Sequence, residues 1–187
     1  MAFFDLTTLS LGDVVVSGKG SKSAPIQSNG GQAVVLLEPM RVVFEPSAFG
    51  NEDASRVNIV FRPSPELLAG LEAFDEWVIA TLAADSVRYF GRAKAAEQLR
   101  DAYTPAAKVS DKYPATRKAK MNIQDPNCVK VWDAEKQPRA QPQVWKDCLT
   151  VPRIRLRGLY FMGASFGAVL EMTDAQIVEE QTVECPF

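Results

Sequence analysis

The hydrophobic pattern of this chain changes its period along the sequence, and that change limits the folds available to it. Before residue 64, apolar residues alternate with polar ones or form short β-branched runs, at 12–18, 32–46 and 56–62, which is typical of strands. From Ser64 they recur every three or four residues through "SPELLAGLEAFDEWVIATLAAD" (64–85), and this spacing predicts a helix packed on a core. Ser64 is the expected N-cap, with Pro65 as the first helical residue.

Strand character returns after a less regular middle. A weaker helix is predicted at 92–103, and residues 104–120 are expected to form a long exposed loop, because they contain two prolines and little periodicity. Strands are predicted at 120–123 and 128–133, and two more within 150–180 around Gly163-Ala164-Ser165. This order predicts a mainly β fold with an inserted helix region (α+β), such as the OB-like antiparallel β-barrel. Other barrels with inserted helices fit the same order.

The length of 187 residues fits one domain. We expect that domain at 1–178, with helices at about 64–103 and a basic loop at about 104–120, followed by an acidic tail at 179–187. No apolar run is long enough to cross a membrane. The first residues lack the pattern of a secretion signal. We therefore expect an intracellular protein, in the cytoplasm or, for a viral protein, in the host cytoplasm or nucleus.

The composition argues against most catalytic chemistry. The chain has no histidine, which removes imidazole bases, histidine-dependent nucleophiles and imidazole metal sites. Its three cysteines lack C-x-x-C spacing, so we expect no zinc site, and no cofactor is indicated. The remaining enzymatic alternative is a magnesium-dependent phosphodiesterase using Asp125, Asp133 and Glu135. We expect a protein that is not an enzyme.

Charge is distributed unevenly along the chain. Residues 88–157 contain sixteen Lys and Arg against seven Asp and Glu, a net charge of +9, whereas the rest of the chain carries −11. A basic middle with an acidic end favours binding of a polyanion beside a competing anionic tail. The alternative is that these charges only keep the surface soluble.

The strand "PRIRLRGLYFMG" (152–163) carries the most informative basic residues. Alternation places Arg153, Arg155 and Arg157 on one face, and nothing in the local sequence neutralises them. A polyphosphate lying across that face would neutralise them. Pairing with carboxylates on a neighbouring strand, or protection of an edge strand, would also explain these charges. The predicted basic loop supplies further candidates for nucleic-acid binding, namely Lys112, Arg117, Lys118 and Lys120.

Aromatic residues lie among these cations. Single-stranded nucleic acid is bound by this mixture, because cations hold the backbone and aromatic rings stack on bases. Tyr113, Trp132 and Trp145 are the candidates for stacking. Either tryptophan is also compatible with a place in the core.

The last nine residues, "EEQTVECPF", resemble the C-terminal tip of bacterial single-stranded DNA-binding proteins. The closing strands resemble those of the OB-fold single-stranded DNA-binding proteins of phages and large DNA viruses. This resemblance implies single-stranded DNA as ligand, in replication, recombination or repair. It also implies that the tail competes with DNA and recruits partner proteins. The tail residues concerned are Glu179, Glu180, Glu184, Pro186 and Phe187.

The sequence thus predicts a viral or bacterial type of single-stranded DNA-binding protein that does not read sequence, and it leaves RNA and a homo-oligomer open. The alternative is a virion or scaffold β-barrel whose tail docks on a neighbouring subunit. That protein would use the terminal phenylalanine but not the arginine strand.

Overall fold

The structure is a computed structural model that describes residues 4–18, 20–48 and 54–179. Within these ranges the chain forms three α-helices, fourteen strands and one turn of 3-10 helix at Leu6–Thr8. The helices are α1 (Pro65–Ala84), α2 (Ser86–Phe90) and α3 (Ala96–Ala102). The strands are β1 (Leu9–Leu11), β2 (Val15–Val16), β3 (Lys22–Ser28), β4 (Gly31–Gln32), β5 (Val34–Leu36), β6 (Met40–Val42), β7 (Arg56–Arg62), β8 (Tyr103–Thr104), β9 (Ala107–Lys108), β10 (Thr116–Asn122), β11 (Lys130–Trp132), β12 (Pro138–Arg139), β13 (Leu149–Met162) and β14 (Ser165–Glu179).

Five of these strands close a ring within a larger sheet. They pair in the order β6–β7–β10–β14–β13 and back to β6. The β10–β14 pair is parallel, and the other four pairs of the ring are antiparallel. Counted along the chain, β10 is the third strand of the ring and β14 is the fifth. A five-stranded ring closed by parallel pairing of its third and fifth strands has the strand order of the OB fold. The predicted fold class, mainly β with inserted helices and OB-like, is confirmed.

The helices lie between the second and third strands of the ring. The Ser64 hydroxyl accepts the Leu67 amide at 3.1 Å, as expected of an N-cap, and donates to Glu38 at 2.8 Å, which ties the start of α1 to the sheet. The buried face of α1 consists of residues at helical spacing, Leu67, Leu71, Phe74, Val78, Ile79 and Leu82. The buried apolar residues of helices and strands form one core. None of the helices in the described ranges is long and apolar enough to span a membrane.

Two segments differ from the sequence-based expectation. Residues 104–120 are not one exposed loop, because they contribute to β8, β9 and the first residues of β10, with short irregular connections at 105–106 and 109–115. β3 was not expected, since its sequence "KSAPIQS" contains a proline and a single β-branched residue. Pairing with β13 and β1 stabilises β3 where local propensity does not.

The long hairpin of β13 and β14 positions the surface described below. It turns at Gly163-Ala164, as predicted, and it extends beyond the ring. In that outer part β3 pairs with the edge of β13 and β8 pairs with the edge of β14. Gly158 has a φ of +154° where β3 approaches, and a Cβ there would overlap the carbonyl oxygen of Ala24. A side chain at 158 would therefore separate β3 from the hairpin.

Candidate nucleic-acid interface

The arginine strand has the alternation that its sequence predicts. Ile154 and Leu156 are buried in the core. Arg153, Arg155 and Arg157 lie on the opposite side of β13, which is the outer face of the ring. The three arginines therefore share one surface with the outward side chains of the neighbouring strands β14, β10 and β7.

β7 and β10 add cations to this outer face. In their antiparallel register Lys118 lies opposite Val60 and Lys120 opposite Asn58. Directly opposite residues share a face of a sheet. Alternation along β7 places Arg56 and Arg62 on the same outer side, because the residues between them that point inward, Val57, Ile59 and Phe61, are buried.

A single carboxylate lies beneath three of the arginines. The Glu171 side chain on β14 is only 1% exposed. It accepts the Arg155 guanidinium through both Nε, at 3.0 Å, and Nη2. It also accepts Arg157 Nη1 at 3.4 Å and Asn122 Nδ2 at 2.7 Å, and Arg56 Nη2 lies 4.0 Å away. Burial by itself raises the pKa of Glu171, but the hydrogen bonds from Arg155 and Asn122 outweigh it and the pKa lies below its ordinary value.

Positive charge exceeds negative charge in this cluster, which we call the Glu171 cluster (Arg56, Asn122, Arg155, Arg157 and Glu171). Burial and the charge of Arg157 lower the pKa of Arg56. Its Nε and Nη2 atoms are buried and have no hydrogen-bond acceptor among the described residues. On the adjacent strand, burial and the charge of Lys118 lower the pKa of Lys120. The side chains of Arg56, Arg155 and Arg157 remain partly exposed around the buried Glu171, so this excess of positive charge is suited to an anion at the surface.

Arg153 belongs to a second, smaller group on the same face. Its Nη1 atom lies 3.2 Å from the Asp174 carboxylate, which also accepts the Trp132 indole N–H at 3.3 Å. All three arginines of β13 therefore pair with carboxylates of β14, which is the cross-strand alternative that the sequence left open. The pairing is incomplete, because Glu171 and Asp174 together face four arginines when Arg56 is included.

A groove opens beside the arginine strand where β3 and β4 bend away from β13. Its volume is about 440 Å³. Arg155 and Arg157 line one side, and the opposite side is formed by the β3–β4 hairpin with Gln27, Gln32 and the backbone of Gly30 and Gly31. The groove extends the basic face with amide groups, which are suited to hydrogen bonding with a phosphodiester backbone.

Two candidates from the predicted basic loop lie in the connection 109–115. Lys112 is exposed, and Tyr113 is 73% exposed, so its ring is open to solvent. This connection precedes β10, which runs parallel to β14, so it lies towards the end of the ring from which the hairpin extends. The assignment of both residues to nucleic acid stays a prediction.

Two of the sequence-based candidates do not lie on this surface. Arg117 points into the core and is 5% exposed, because it occupies an inward position of β10 between the outward Thr116 and Lys118. Trp145 is also 5% exposed and belongs to the core. In the described conformation neither side chain reaches a ligand on the outer face, so we remove both from the candidate interface.

Arg117 instead belongs to a partly buried polar network, which we call the Asp75 network (Asp75, Tyr103, Ala106 and Arg117). Its Nη1 atom donates to the Ala106 carbonyl at 2.6 Å, while Asp75 accepts the Tyr103 hydroxyl at 2.6 Å and the Ala106 amide at 3.0 Å. Burial raises the pKa of Asp75 and of Tyr103, and it lowers the pKa of Arg117 to about 10. The network joins α1 to β8, β9 and β10.

The outer face also contains residues that sequence reasoning missed. Alternation in 56–62 puts Arg56 and Arg62 on one side of a strand, but the sequence does not state that β7 pairs with β10. Glu171 has no evident role in the sequence, because its partners lie on other strands. Its burial under Arg155 depends on the β13–β14 register, which shifts at Arg153/Ile154 and at Leu156/Gly158.

The acidic candidates lie elsewhere or outside the described residues. Asp133 accepts the Gln137 amide at 2.7 Å in a turn. No group of three metal-ligating side chains lies close together in the part of the chain that the structure describes. Glu179, the last described residue, pairs with Arg41 at 2.7 Å. The other tail candidates lie outside the described residues, namely Glu180, Glu184, Pro186 and Phe187.

Comparison with known proteins identifies the fold. No protein-family model matches the chain, and no curated protein matches it significantly. The single-stranded DNA-binding protein from bacteriophage Enc34 in complex with ssDNA aligns with a TM-score of 0.54 and 11% identity, over 91% of this chain and 96% of that chain. Gp2.5, a single-stranded DNA-binding protein encoded by bacteriophage T7, aligns with a TM-score of 0.54 and 12% identity, over 83% of this chain and 91% of that chain. The chain therefore has the fold of phage single-stranded DNA-binding proteins, as the sequence resemblance predicted.

Proposed function

We propose that this protein binds single-stranded DNA, without reading its sequence, along the outer face formed by β7, β10, β14 and β13. The observation that carries the proposal is the Glu171 cluster, in which three guanidinium groups surround one buried carboxylate and buried donors of Arg56 have no acceptor among the described residues. Two proteins that share this fold are named as single-stranded DNA-binding proteins, and one was solved with single-stranded DNA bound.

Phosphates bind at the Glu171 cluster in this proposal. Glu171 holds Arg155 and Arg157 in fixed orientations without cancelling their combined charge. Guanidinium groups that are already ordered lose less rotamer entropy when a phosphate binds. Lys118 and Lys120 add charge from the adjacent strand. Phosphodiester oxygens have the same geometry in every nucleotide, so this surface is expected to bind without regard to sequence.

Bases are bound by aromatic rings in this proposal. Trp132 is half-buried next to Asp174 and Arg153, and Tyr113 is exposed in the connection before β10. Ring stacking is open to unpaired bases and closed to the paired bases of a duplex. The protein therefore prefers single strands, and it acts by binding, not by catalysing a reaction.

The setting of this activity is also part of the proposal. Single-stranded DNA is exposed inside cells during replication, recombination and repair, and the protein acts there by covering it. The acidic segment 179–187 competes with DNA for the basic face when DNA is absent, and it recruits partner proteins through Pro186 and Phe187. Glu179 already lies against a cation, Arg41.

Fluorescence-anisotropy titration of the full chain with labelled oligo-dT and matched duplex DNA tests the proposal. We expect tighter binding to the single strand at about 50 mM salt and a loss of affinity at about 200 mM, because counterions are released from the phosphates. The double variant Lys118→Ala/Lys120→Ala should lower the slope of log K against log [salt] by about 0.7 for each phosphate that the variant no longer neutralises.

The matched control is Arg92→Ala/Arg100→Ala, which removes two exposed cations from the helical segment. It should leave both affinity and salt slope close to those of the original chain. Equal effects of the two double variants would show that binding depends only on net charge, and would contradict binding at the outer face. No binding of oligo-dT at low salt would refute the function and favour the alternative of an assembly protein.

A further inference from the structure

Tyr160 on β13 lies opposite Gly167 of β14, and its ring packs against that glycine. A Cβ added at Gly167 would lie 3.0 Å from both Cε1 and Oη of Tyr160 and 3.1 Å from Cβ of Thr104. These distances are shorter than ordinary van der Waals contact, so the ring occupies the space that a side chain at 167 would fill. Gly167 is needed here because of the aromatic ring, not because of a turn.

The ring of Tyr160 lies on the same face as the Glu171 cluster. Phe166, Leu170 and Met172 of β14 are buried, so Gly167 and Glu171, at alternate positions, both point outward. They are four positions apart along the strand, which corresponds to about 13 Å. A phosphate on the cluster and a base on Tyr160 would therefore belong to different nucleotides of one strand.

The surroundings of Tyr160 form an open and largely apolar surface. Val15 lies opposite Ser23 on β3, and Ser23 lies opposite Tyr160. Val15 is 57% exposed and Met162, two residues beyond Tyr160, is 70% exposed. These two apolar side chains leave the region around Tyr160 open to a ligand. Tyr160 is half-buried, and its hydroxyl is close enough to Tyr103 to add to burial in raising the pKa of that residue.

We propose that Tyr160 is a stacking platform for an unpaired base, and that the bound strand runs along the β13–β14 hairpin from the Glu171 cluster towards its tip. This inference rests on the proposed function and adds the path of the strand. An aromatic ring held by the backbone on one side presents its other side without needing to be ordered on binding. The continuity of this surface with the cation cluster favours a nucleic acid strand as its occupant over an apolar protein segment.

The test separates contacts to bases from contacts to phosphates. The full chain is titrated with oligo-dT of about 12 nucleotides, within the range of OB-fold sites, and with an oligomer of the same length made only of abasic nucleotides. We expect Tyr160→Leu to weaken binding of oligo-dT by at least about 5-fold, as loss of one stacked base does, with the affinity for the abasic oligomer and the salt slope unchanged. Tyr160→Phe should keep the affinity for oligo-dT.

Gly167→Ala is the second variant, because it displaces the ring without removing it. It should reproduce the loss of Tyr160→Leu for oligo-dT, provided that thermal unfolding shows a folded protein. Lys118→Ala/Lys120→Ala is the control, and it should weaken binding of both oligomers by the same factor.

Each outcome distinguishes the stacking role from the function itself. If Tyr160→Leu weakens both oligomers equally, or neither, Tyr160 does not stack on a base and the inference is overturned while the proposed function stands. If the original chain binds neither oligomer, the proposed function fails with it.

Discussion

Two polar clusters of this protein contain arginine and carboxylate side chains on strand β10 or beside it. They differ in net charge and in whether they face the core or the surface. The Asp75 network faces the core, with Arg117 buried and Asp75 half-buried, and Ala106 links the two through its amide and its carbonyl. The Glu171 cluster lies on the outer face, where one carboxylate faces three arginines. The inner network is nearly neutral as a unit, whereas the outer cluster carries excess positive charge.

The difference shows how a fold separates structural charges from charges that are available to a ligand. A buried charge is tolerated when its partners are present in the same chain. The Asp75 network meets this condition for Asp75, which accepts from Tyr103 and Ala106. The Glu171 cluster meets it for Glu171. Each cluster also contains an arginine with a buried donor that has no acceptor among the described residues, Arg117 in the inner network and Arg56 in the outer cluster. They differ in access, because the Arg56 side chain as a whole is 35% exposed and a phosphate can approach it from outside, whereas Arg117 is 5% exposed.

Removal of the inner carboxylate should give the largest effect on stability. Asp75→Ala leaves the Tyr103 hydroxyl and the Ala106 amide without an acceptor and takes the opposing charge from Arg117. We expect the free energy of unfolding to fall by about 3 kcal/mol, measured by urea denaturation. The protein that remains folded should bind oligo-dT with unchanged affinity.

The matched control is Glu76→Ala, on the next residue of α1. Glu76 pairs with Arg100 at 2.6 Å on the surface, and exposed ion pairs contribute little to stability. If the two variants unfold at the same urea concentration, the Asp75 network does not hold α1 to the sheet.

Removal of an outer arginine should weaken DNA binding without lowering stability. Arg56→Met removes a crowded cation with unsatisfied donors, so the free energy of unfolding should stay constant or rise. The affinity for oligo-dT should fall several-fold, about the effect of removing one charge-assisted hydrogen bond to a phosphate. Urea denaturation and anisotropy titration on the same samples measure both quantities.

Lys118→Met is the comparison variant for this experiment, since Lys118 is an exposed cation of the same face with no ion pair in the part of the chain that the structure describes. It should weaken binding without raising stability. If Arg56→Met loses stability and keeps its affinity, Arg56 serves the fold and not the ligand.

The sequence predicted these two clusters unequally. Alternation alone placed Arg153, Arg155 and Arg157 on one face, because a strand was recognised there. Lys118 and Arg117 were both assigned to a loop, and without a strand there was no reason to send one outward and the other into the core. As neighbours in β10 they point to opposite faces of the sheet. Pairing of β10 with β7 and β14 fixes which of the two faces the core.

Contacts between strands that are distant in sequence could not be predicted from local patterns. Glu171 lies under Arg155 only because a register shift in the hairpin places them together. Gly167 leaves room for the Tyr160 ring, and that role follows only from the pairing of β13 with β14. Trp145 illustrates the reverse case, because a basic neighbour in the sequence suggested a surface position and its apolar area placed it in the core.

The smallest of the expected effects, and the one that compares the clusters most directly, is the response of stability to acid. The pKa of Glu171 is lowered from 4.5 by Arg155 and Asn122 despite burial, so the unfolded chain binds its proton first and this contribution to stability is lost as the pH falls below about 4.5. The pKa of Asp75 is raised from 3.8, chiefly by burial, so the folded chain binds its proton first and stability is gained as the pH falls towards that value.

The urea midpoints of the original chain, Glu171→Gln and Asp75→Asn should therefore be compared between pH 7 and pH 4. On acidification the advantage of the original chain over Glu171→Gln should shrink, and its advantage over Asp75→Asn should grow. Parallel pH profiles for the two variants would show that the two carboxylates are held in equivalent environments, which contradicts the contrast between a balanced interior and a cation-rich outer face.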